Sequence, residues 1–409
     1  MIWHNKFPTD DIYYKDVNGI LYNNDVISVL KRLPNESIDC VVTSPPYWGL
    51  RDYGVDRQIG LEPTFQEYLK HLWEVFDEIY RILKPMGTLW VNLGDSYSGS
   101  GNGAGDKTYE KRGKPQSYGL KYVGQKPGKT NIKSKSLIMI PSRFAIGMID
   151  RGWILRNEII WHKPNCMPQS VKDRFTVDFE KIFFFVKNRK YYFEQQFDKV
   201  KETSLDRAKK FIKNNESYDP NKHKTDSHNY AQTPMEILER GVASTLSGKR
   251  NKRTVWSITT KSFKDAHFAV FPPELPKTCI KSGCPKEVCA VCGEPSYIIT
   301  KSEAEDVKIS NNEKYRKVFD FTSSTLRGEY KYLKEYNRCE HGVYNPGIVL
   351  DPFMGSGTTA IVAMELGRRW IGIELNKEYC DIVVKRIKDV DGGKMIARGY
   401  SYSNNDEWL

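Results

Sequence analysis

A chain of 409 residues, 39% hydrophobic and 28% charged, is long enough for a large core and one or two domains. It contains no apolar run long enough to span a bilayer and no charged segment leading into an export-type apolar stretch, so a soluble, unexported, cytoplasmic protein is expected. A net charge of +12 favours a polyanionic partner, with solubility alone as the plain alternative, and eight cysteines in such a chain point to metal sooner than to disulfides.

The residues up to Ile20 read as an irregular arm. Leu21-Tyr22 is a short strand, Asn23-Asn24-Asp25 a turn and helix cap, and Val26 to Leu33 a helix with apolar residues at helical spacing. Ile38-Asp39-Cys40-Val41-Val42 is β-branched enough for a buried strand, and it runs into Thr43-Ser44-Pro45-Pro46-Tyr47-Trp48. Neither proline has an N–H and each restricts the residue before it, so the backbone stays stiff and extended at the strand's carboxyl end. The carbonyls of Ser44 and Pro45, the Ser44 hydroxyl and the face of Tyr47 then suit a planar heterocycle with an exocyclic amino group. A stiffened strand exit without chemistry is the alternative. Gly49 to Gly54 is a loop, Thr64 to Leu83 a long amphipathic helix stopped by Pro85 and Gly87, and Thr88 to Asp95 a buried strand with a polar exit. This rhythm implies a parallel doubly wound sheet with its sites outside the carboxyl ends of strands. Asp95 and Ser96 stand at that edge either as pocket lining or as a simple turn.

From Ser98 to Ser136 the chain is glycine-rich and basic, with Lys107, Lys111, Arg112, Lys114, Lys121, Lys126, Lys129, Lys133 and Lys135. Such a segment suits phosphate contacts, or is only a solvated loop. Ser142 to Arg151 reads as a helix, and Trp153 to Trp161, Ile182 to Val186 and Tyr191-Tyr192-Phe193 as antiparallel strands. The polar stretch from about Val200 to Val255 carries Lys249-Arg250-Asn251-Lys252-Arg253, side chains able to read bases in a major groove. Ala266 to Leu275 resumes the sheet and enters a helix; Cys279 and Cys284 there read as small buried apolar residues.

Cys289-Ala290-Val291-Cys292-Gly293 is a typical half of a zinc ribbon. Cys339 and His341 can supply the other half, giving four ligands for tetrahedral structural zinc at the base of the polar stretch Ser296 to Asn337. A site made of Cys279, Cys284, Cys289 and Cys292, or free thiols without metal, are the alternatives. Gly347 to Leu350 then leads as a strand into Asp351-Pro352-Phe353-Met354-Gly355-Ser356-Gly357-Thr358-Thr359, with a helix from Ala360 to Leu366. Strand, glycine turn and helix N-terminus together form a nucleotide-type site. The next strand, Trp370 to Ile373, ends in Glu374, near the roughly 20-residue offset at which a carboxylate binds ribose hydroxyls.

Thr43 to Trp48 resembles the catalytic motif of the DNA amino-methyltransferases, Ser/Asp/Asn-Pro-Pro-Tyr/Phe, and Asp351 to Thr359 closely matches their Asp-Pro-Phe-x-Gly-Ser-Gly-Thr-Thr motif. Ile159-Ile160-Trp161-His162-Lys163-Pro164-Asn165 is similar to the segment that flanks their target-base pocket, with His162 more structural than catalytic. Catalytic motif first and cofactor motif last is the permuted order of the beta class. The resemblance implies an α/β, Rossmann-like doubly wound S-adenosylmethionine-dependent methyltransferase sheet with a recognition insert and a small zinc-ribbon-like insertion. It divides the chain into a first catalytic half (1–195), a target-recognition region (196–260), a cofactor-closing segment (261–288), the zinc insertion (289–345) and a second catalytic half (346–409).

By the same resemblance Ser44, Pro45, Pro46 and Tyr47 are catalytic, and S-adenosylmethionine meets Asp351, Phe353, Gly355, Ser356, Gly357 and Thr358, with Glu374 on its ribose. Asp25 lies near the adenine or merely caps its helix, and Phe268 closes over the methionine end or packs in the core. The expected substrate is double-stranded DNA, methylated on an exocyclic amino group of a flipped base. Ser44 with Trp48 resembles the cytosine-N4 enzymes more than the adenine-N6 ones. A homodimer and a cognate restriction enzyme are the partners the resemblance admits. RNA or a protein glutamine as substrate, and a non-catalytic DNA-binding module, remain as further readings.

Overall fold

The computed structural model describes residues 3–50, 52, 54–99, 131–214, 248–260, 271–304 and 330–391. In chain order it contains β1 (Ile12–Lys15), β2 (Gly19–Tyr22), α1 (Val26–Leu30), β3 (Ile38–Thr43), α2 (Phe65–Ile82), β4 (Leu83–Leu93), α3 (Ile140–Asp150), β5 (Ile154–His162) and β6 (Phe179–Val186). Next come β7 (Phe197–Lys199), α4 (Glu202–Asn214), β8 (Lys249–Asn251), β9 (Val255–Ser257), α5 (Glu274–Gly283) and β10 (Val288–Cys289). The remainder holds β11 (Tyr297–Ala304), β12 (Tyr330–Asn337), β13 (Tyr344–Asn345), β14 (Ile348–Asp351), α6 (Thr358–Glu365), β15 (Arg369–Ile373) and α7 (Lys377–Asp391).

The chain divides into two units: Met1–Phe193 with Thr254–Pro295 and Cys339–Leu409, and Glu194–Arg253 with Ser296–Arg338. The second unit contains α4 and two antiparallel pairs, β7 with β8 and β11 with β12. The first unit is built on one sheet of nine strands, in the order β1-β2-β15-β14-β3-β4-β6-β5-β9. From β2 to β4 all neighbours are parallel, whereas β6 runs antiparallel to both β4 and β5.

The central strands are apolar on both faces, as a sheet covered on both sides requires. Leu89, Val91 and Leu93 of β4 and Ile348 and Leu350 of β14 face one core, while Trp90, Val349 and Trp370 face the other. The first core is covered by α2, whose buried stripe is Phe65, Tyr68, Leu69, Leu72, Val75, Phe76, Ile79 and Ile82. That helix starts where it does because Thr64 and Glu67 form a reciprocal capping box.

Three features differ from the sequence reading. The arm before Ile20 contains β1, an edge strand paired with β2 through Tyr14 and Lys15. β4 begins at Leu83, not Thr88: Pro85 cannot continue α2, so the chain becomes extended at once. Tyr191-Tyr192-Phe193 is not a strand. Both edges of β6 are already taken by β4 and β5, and these aromatics pack instead, Phe193 stacking on Phe184 at 5.7 Å. The basic residues from Lys107 to Lys129 lie outside the described residues.

Candidate active site

β3 and β14 lie side by side and parallel, and from them the chain winds outward in opposite directions, to β4 on one side and β15 on the other. Such a switch point leaves a crevice beyond the carboxyl ends of the strands. Thr43 ends β3 and Asp351 ends β14, so both motifs are delivered there. They are also bonded to each other. Thr43 Oγ1 donates to Asp351 Oδ1 at 2.7 Å, Thr359 Oγ1 donates to Oδ2 at 2.7 Å, and the Phe353 N–H donates to Oδ1 at 3.1 Å. Burial pushes the Asp351 carboxyl up to about 7 against these donors, and the residue does not line the cavity. It ties the first motif, the turn of the second and the start of α6 together.

One cavity extends from the Ser44-Pro45-Pro46-Tyr47 corner to the Phe353–Ser356 turn. At the second end it is lined by Asp25, Val26, Phe353, Gly355, Ser356, Thr358 and Glu374. Gly355 (φ +54°) and Gly357 (φ +81°) adopt the left-handed backbone that only glycine takes without strain, and Gly357 caps α6 behind the cavity wall. Glu374 accepts the Gly355 N–H and the Asn376 N–H, each at 2.8 Å, which fixes its carboxylate across the turn. Burial pushes that carboxyl up to about 7 as well. Outside the turn, Arg386 Nη1 donates to the Ser356 carbonyl at 2.6 Å and hydroxyl at 2.9 Å. Asp25 both caps α1, accepting the Ser28 N–H at 3.0 Å, and lines the cavity, where Arg57 pairs with it at 3.0 Å. Phe268 lies outside the described residues; its neighbour in sequence Phe271 lines the cavity.

At the first end the Pro46 carbonyl is taken by the Tyr68 hydroxyl at 2.7 Å. Among the described residues none donates to the carbonyls of Ser44 or Pro45. The Tyr47 hydroxyl donates to Glu180 Oε2 at 2.8 Å and lies 3.3 Å from Asn92 Oδ1 and 3.5 Å from Ser44 Oγ. Glu180 is also paired with Lys163, whose ammonium sits 4.3 Å over the Trp161 ring. Trp48 does not line the cavity. It is buried, packs edge-on against Phe65 and donates its N–H to the Glu62 carbonyl at 2.9 Å, anchoring the loop that follows. Asp95 likewise stands outside the cavity wall, accepting the Ser96 and Ile140 N–H groups at the start of α3. His162 is satisfied by Ser257 at 3.0 Å.

The DNA methylase family model, N6_N4_Mtase, matches residues 38–289 and 340–385. The chain belongs to the DNA methylase family. It is similar to the Type II methyltransferase M.Cfr9I of Citrobacter freundii, 35% identical over 377 residues that cover 92% of this chain and 90% of that one. M.SmaI of Serratia marcescens is 34% identical over 363 residues, 89% of this chain and 88% of its own. Among solved structures, PvuII DNA methyltransferase (cytosine-N4-specific) superimposes with a TM-score of 0.47 at 18% identity, covering 94% of this chain and 95% of that one.

S-adenosylmethionine is the cofactor of a methylase of this family. The second end of the cavity fits it: a glycine turn open to the cavity, two carboxylates able to accept hydroxyl and amino hydrogens, and apolar walls from Val26, Phe353 and Ile373 for a flat ring. When bound, this group supplies the electrophilic methyl.

The cavity is also bordered by residues that the sequence reading did not single out. Glu180, Asn92 and Arg57 all line it, beside Trp161 and Lys163 of the pocket-flanking segment, and Gly94 lies under Tyr47. A Cβ at Gly94 would stand 2.6 Å from Tyr47 Cε2, closer than real contacts allow. Gly94→Ala is therefore expected to displace the Tyr47 ring from Glu180 and lower kcat about 10-fold or more, on the scale of small misplacements at a reacting centre, while cofactor affinity stays unchanged. Single-turnover kinetics beside calorimetric cofactor titration separates the two.

Proposed function

We propose that this methylase acts on specific double-stranded DNA sequences, transferring the methyl of S-adenosylmethionine to the N4 amino group of a flipped cytosine. The observation that carries this reading is the single cavity joining the Ser-Pro-Pro-Tyr corner to the glycine turn, with the two motif strands bonded through Thr43 and Asp351. An exocyclic amino nitrogen is a poor nucleophile because its lone pair is delocalised into the ring. Ser44 Oγ and the Pro45 carbonyl accept the amino hydrogens and favour a tetrahedral nitrogen in line with the methyl. The N–methyl bond forms as the S–methyl bond breaks, and one amino proton leaves to water. Tyr47, held by Glu180, presents its ring to the extruded base. Burial and the Glu180 carboxylate raise the Tyr47 phenol, so it stays a neutral donor at physiological pH.

Support for cytosine rests on Ser44, an uncharged acceptor in place of the aspartate of the adenine-type motif. Trp48 after the tyrosine adds to the resemblance to the cytosine-N4 enzymes, although its side chain is buried against Phe65 and the Glu62 carbonyl and does not reach the cavity. Adenine N6 is the second reading. The names of the Type II relatives support a modification role beside a cognate restriction enzyme. Incubating the protein with mixed-sequence DNA and labelled cofactor, then digesting to nucleosides, tests the assignment. Label at cytosine N4 supports it, label at adenine N6 reverses the base, and cofactor binding without labelling of any DNA removes the DNA substrate.

Glu374 gives a pH signature. Its folded value of about 7 lies above the ordinary carboxylate range, so in the cofactor-free protein its contribution to stability is present at low pH and lost as pH rises through about 7. Cofactor affinity runs the other way, because the ionised form is the better acceptor for ribose hydroxyls. Affinity is expected to weaken as pH falls from about 8 to about 6, and Glu374→Gln to flatten that slope, measured by calorimetric titration across the range.

A further inference from the structure

Three thiols and one imidazole gather in the first unit, away from the cavity. Cys289, Cys292, Cys339 and His341 place one ligand atom each within 4.8 Å of one another, and no other group of this kind occurs among the described residues. Cys292 Sγ and Cys339 Sγ are 3.7 Å apart, as are Cys289 Sγ and His341 Nδ1. A disulfide would bring two sulfurs to about 2.05 Å, so these thiols are not bridged. Around a tetrahedral ion with bonds of about 2.3 Å to sulfur, neighbouring ligands stand roughly 3.7 Å apart, the separation of these two pairs.

The backbone is already folded around the first pair. Val291 and Cys292 N–H groups donate to Cys289 Sγ at 3.3 and 3.4 Å, and Gly293 turns the chain at φ +73°. Such N–H donors favour the thiolate that a metal needs. The second pair is brought up by β10 and β13, paired through Cys289 with Tyr344, and by the Tyr344 hydroxyl on the Cys339 carbonyl at 2.6 Å. We infer that Cys289, Cys292, Cys339 and His341 bind one structural zinc ion. Three thiolates and an imidazole complete its tetrahedron and leave no position for a reacting water. The rival set fails on placement: Cys279 and Cys284 are fully buried in and just after α5 and belong to the second core. The four ligands stand where the chain leaves the first unit after Pro295 and re-enters it at Cys339. The metal therefore closes the ends of the intervening segment.

Elemental analysis of the purified full chain is expected to find about one zinc per chain, and exchange for cobalt to give the visible bands of tetrahedral thiolate-bound Co(II). His341→Ala should shift those bands, and Cys292→Ser with Cys339→Ser should abolish metal uptake. Cys279→Ser should keep the full zinc content. Loss of zinc in the Cys279 variant would overturn the ligand set. Wild-type protein prepared without chelator that holds no zinc and takes up no cobalt would overturn the site.

Discussion

Asp351→Ala is expected to abolish cofactor binding and to lower stability by about 3 to 5 kcal/mol, the scale of leaving several buried donors unpaired. The Thr43 and Thr359 hydroxyls and the Phe353 N–H all lose their acceptor, and the strand end, the turn and the start of α6 lose the group they share. Asp351→Asn keeps the shape and an oxygen for the Phe353 N–H, and the threonine hydroxyls can turn to suit the new amide. It should retain most of the stability. Thermal melts beside calorimetric cofactor titration test this. An alanine variant that binds cofactor normally would mean that the glycine turn stands without its buried support.

The second large effect concerns Ser44. Its replacement by alanine removes one of the acceptors proposed for the amino group while leaving the Thr43–Asp351 bond and the turn untouched. Methyl transfer at saturating cofactor should fall about 100-fold or more, comparable with losing one preorganised polar group at a transition state. Cofactor affinity should change less than about twofold, well under the 1.4 kcal/mol that a tenfold change represents. If the variant transfers methyl at an undiminished rate, the amino group is held elsewhere, and Asn92 and Glu180 become the residues to replace next.

Much of this arrangement was legible in the sequence because it is written in short segments. The Pro45-Pro46 strand exit, the turn from Asp351 to Thr359 and the carboxylate at Glu374 each announce a local backbone shape, and their order along the chain gives the permuted sheet. Glu180 was not legible. It precedes an unbroken apolar run in β6, and its partners Tyr47 and Lys163 lie on other elements. Only the placement of β6 between β4 and β5 carries it to the cavity. Trp48 illustrates the reverse difficulty: adjacency to a motif residue suggests a shared role, yet its side chain is spent on the Glu62 carbonyl and Phe65. The division of the second unit was equally hidden, since Glu194–Arg253 and Ser296–Arg338 are separated in the chain by α5 and β10.

The bond between Thr43 and Asp351 spans 308 positions of sequence, and that span has a consequence during synthesis. At roughly 5 to 20 residues per second, a ribosome that has made β3 needs on the order of 15 to 60 s more before β14 exists to pair with it. Until then β3 presents a bare apolar edge, of the kind that pairs with other chains, and β2 has no parallel neighbour. The nascent protein is thus incapable of binding its methyl donor and is most prone to aggregation over the same interval. Slow translation or scarce chaperones would reduce the yield of active methylase more than the stability of the finished fold suggests.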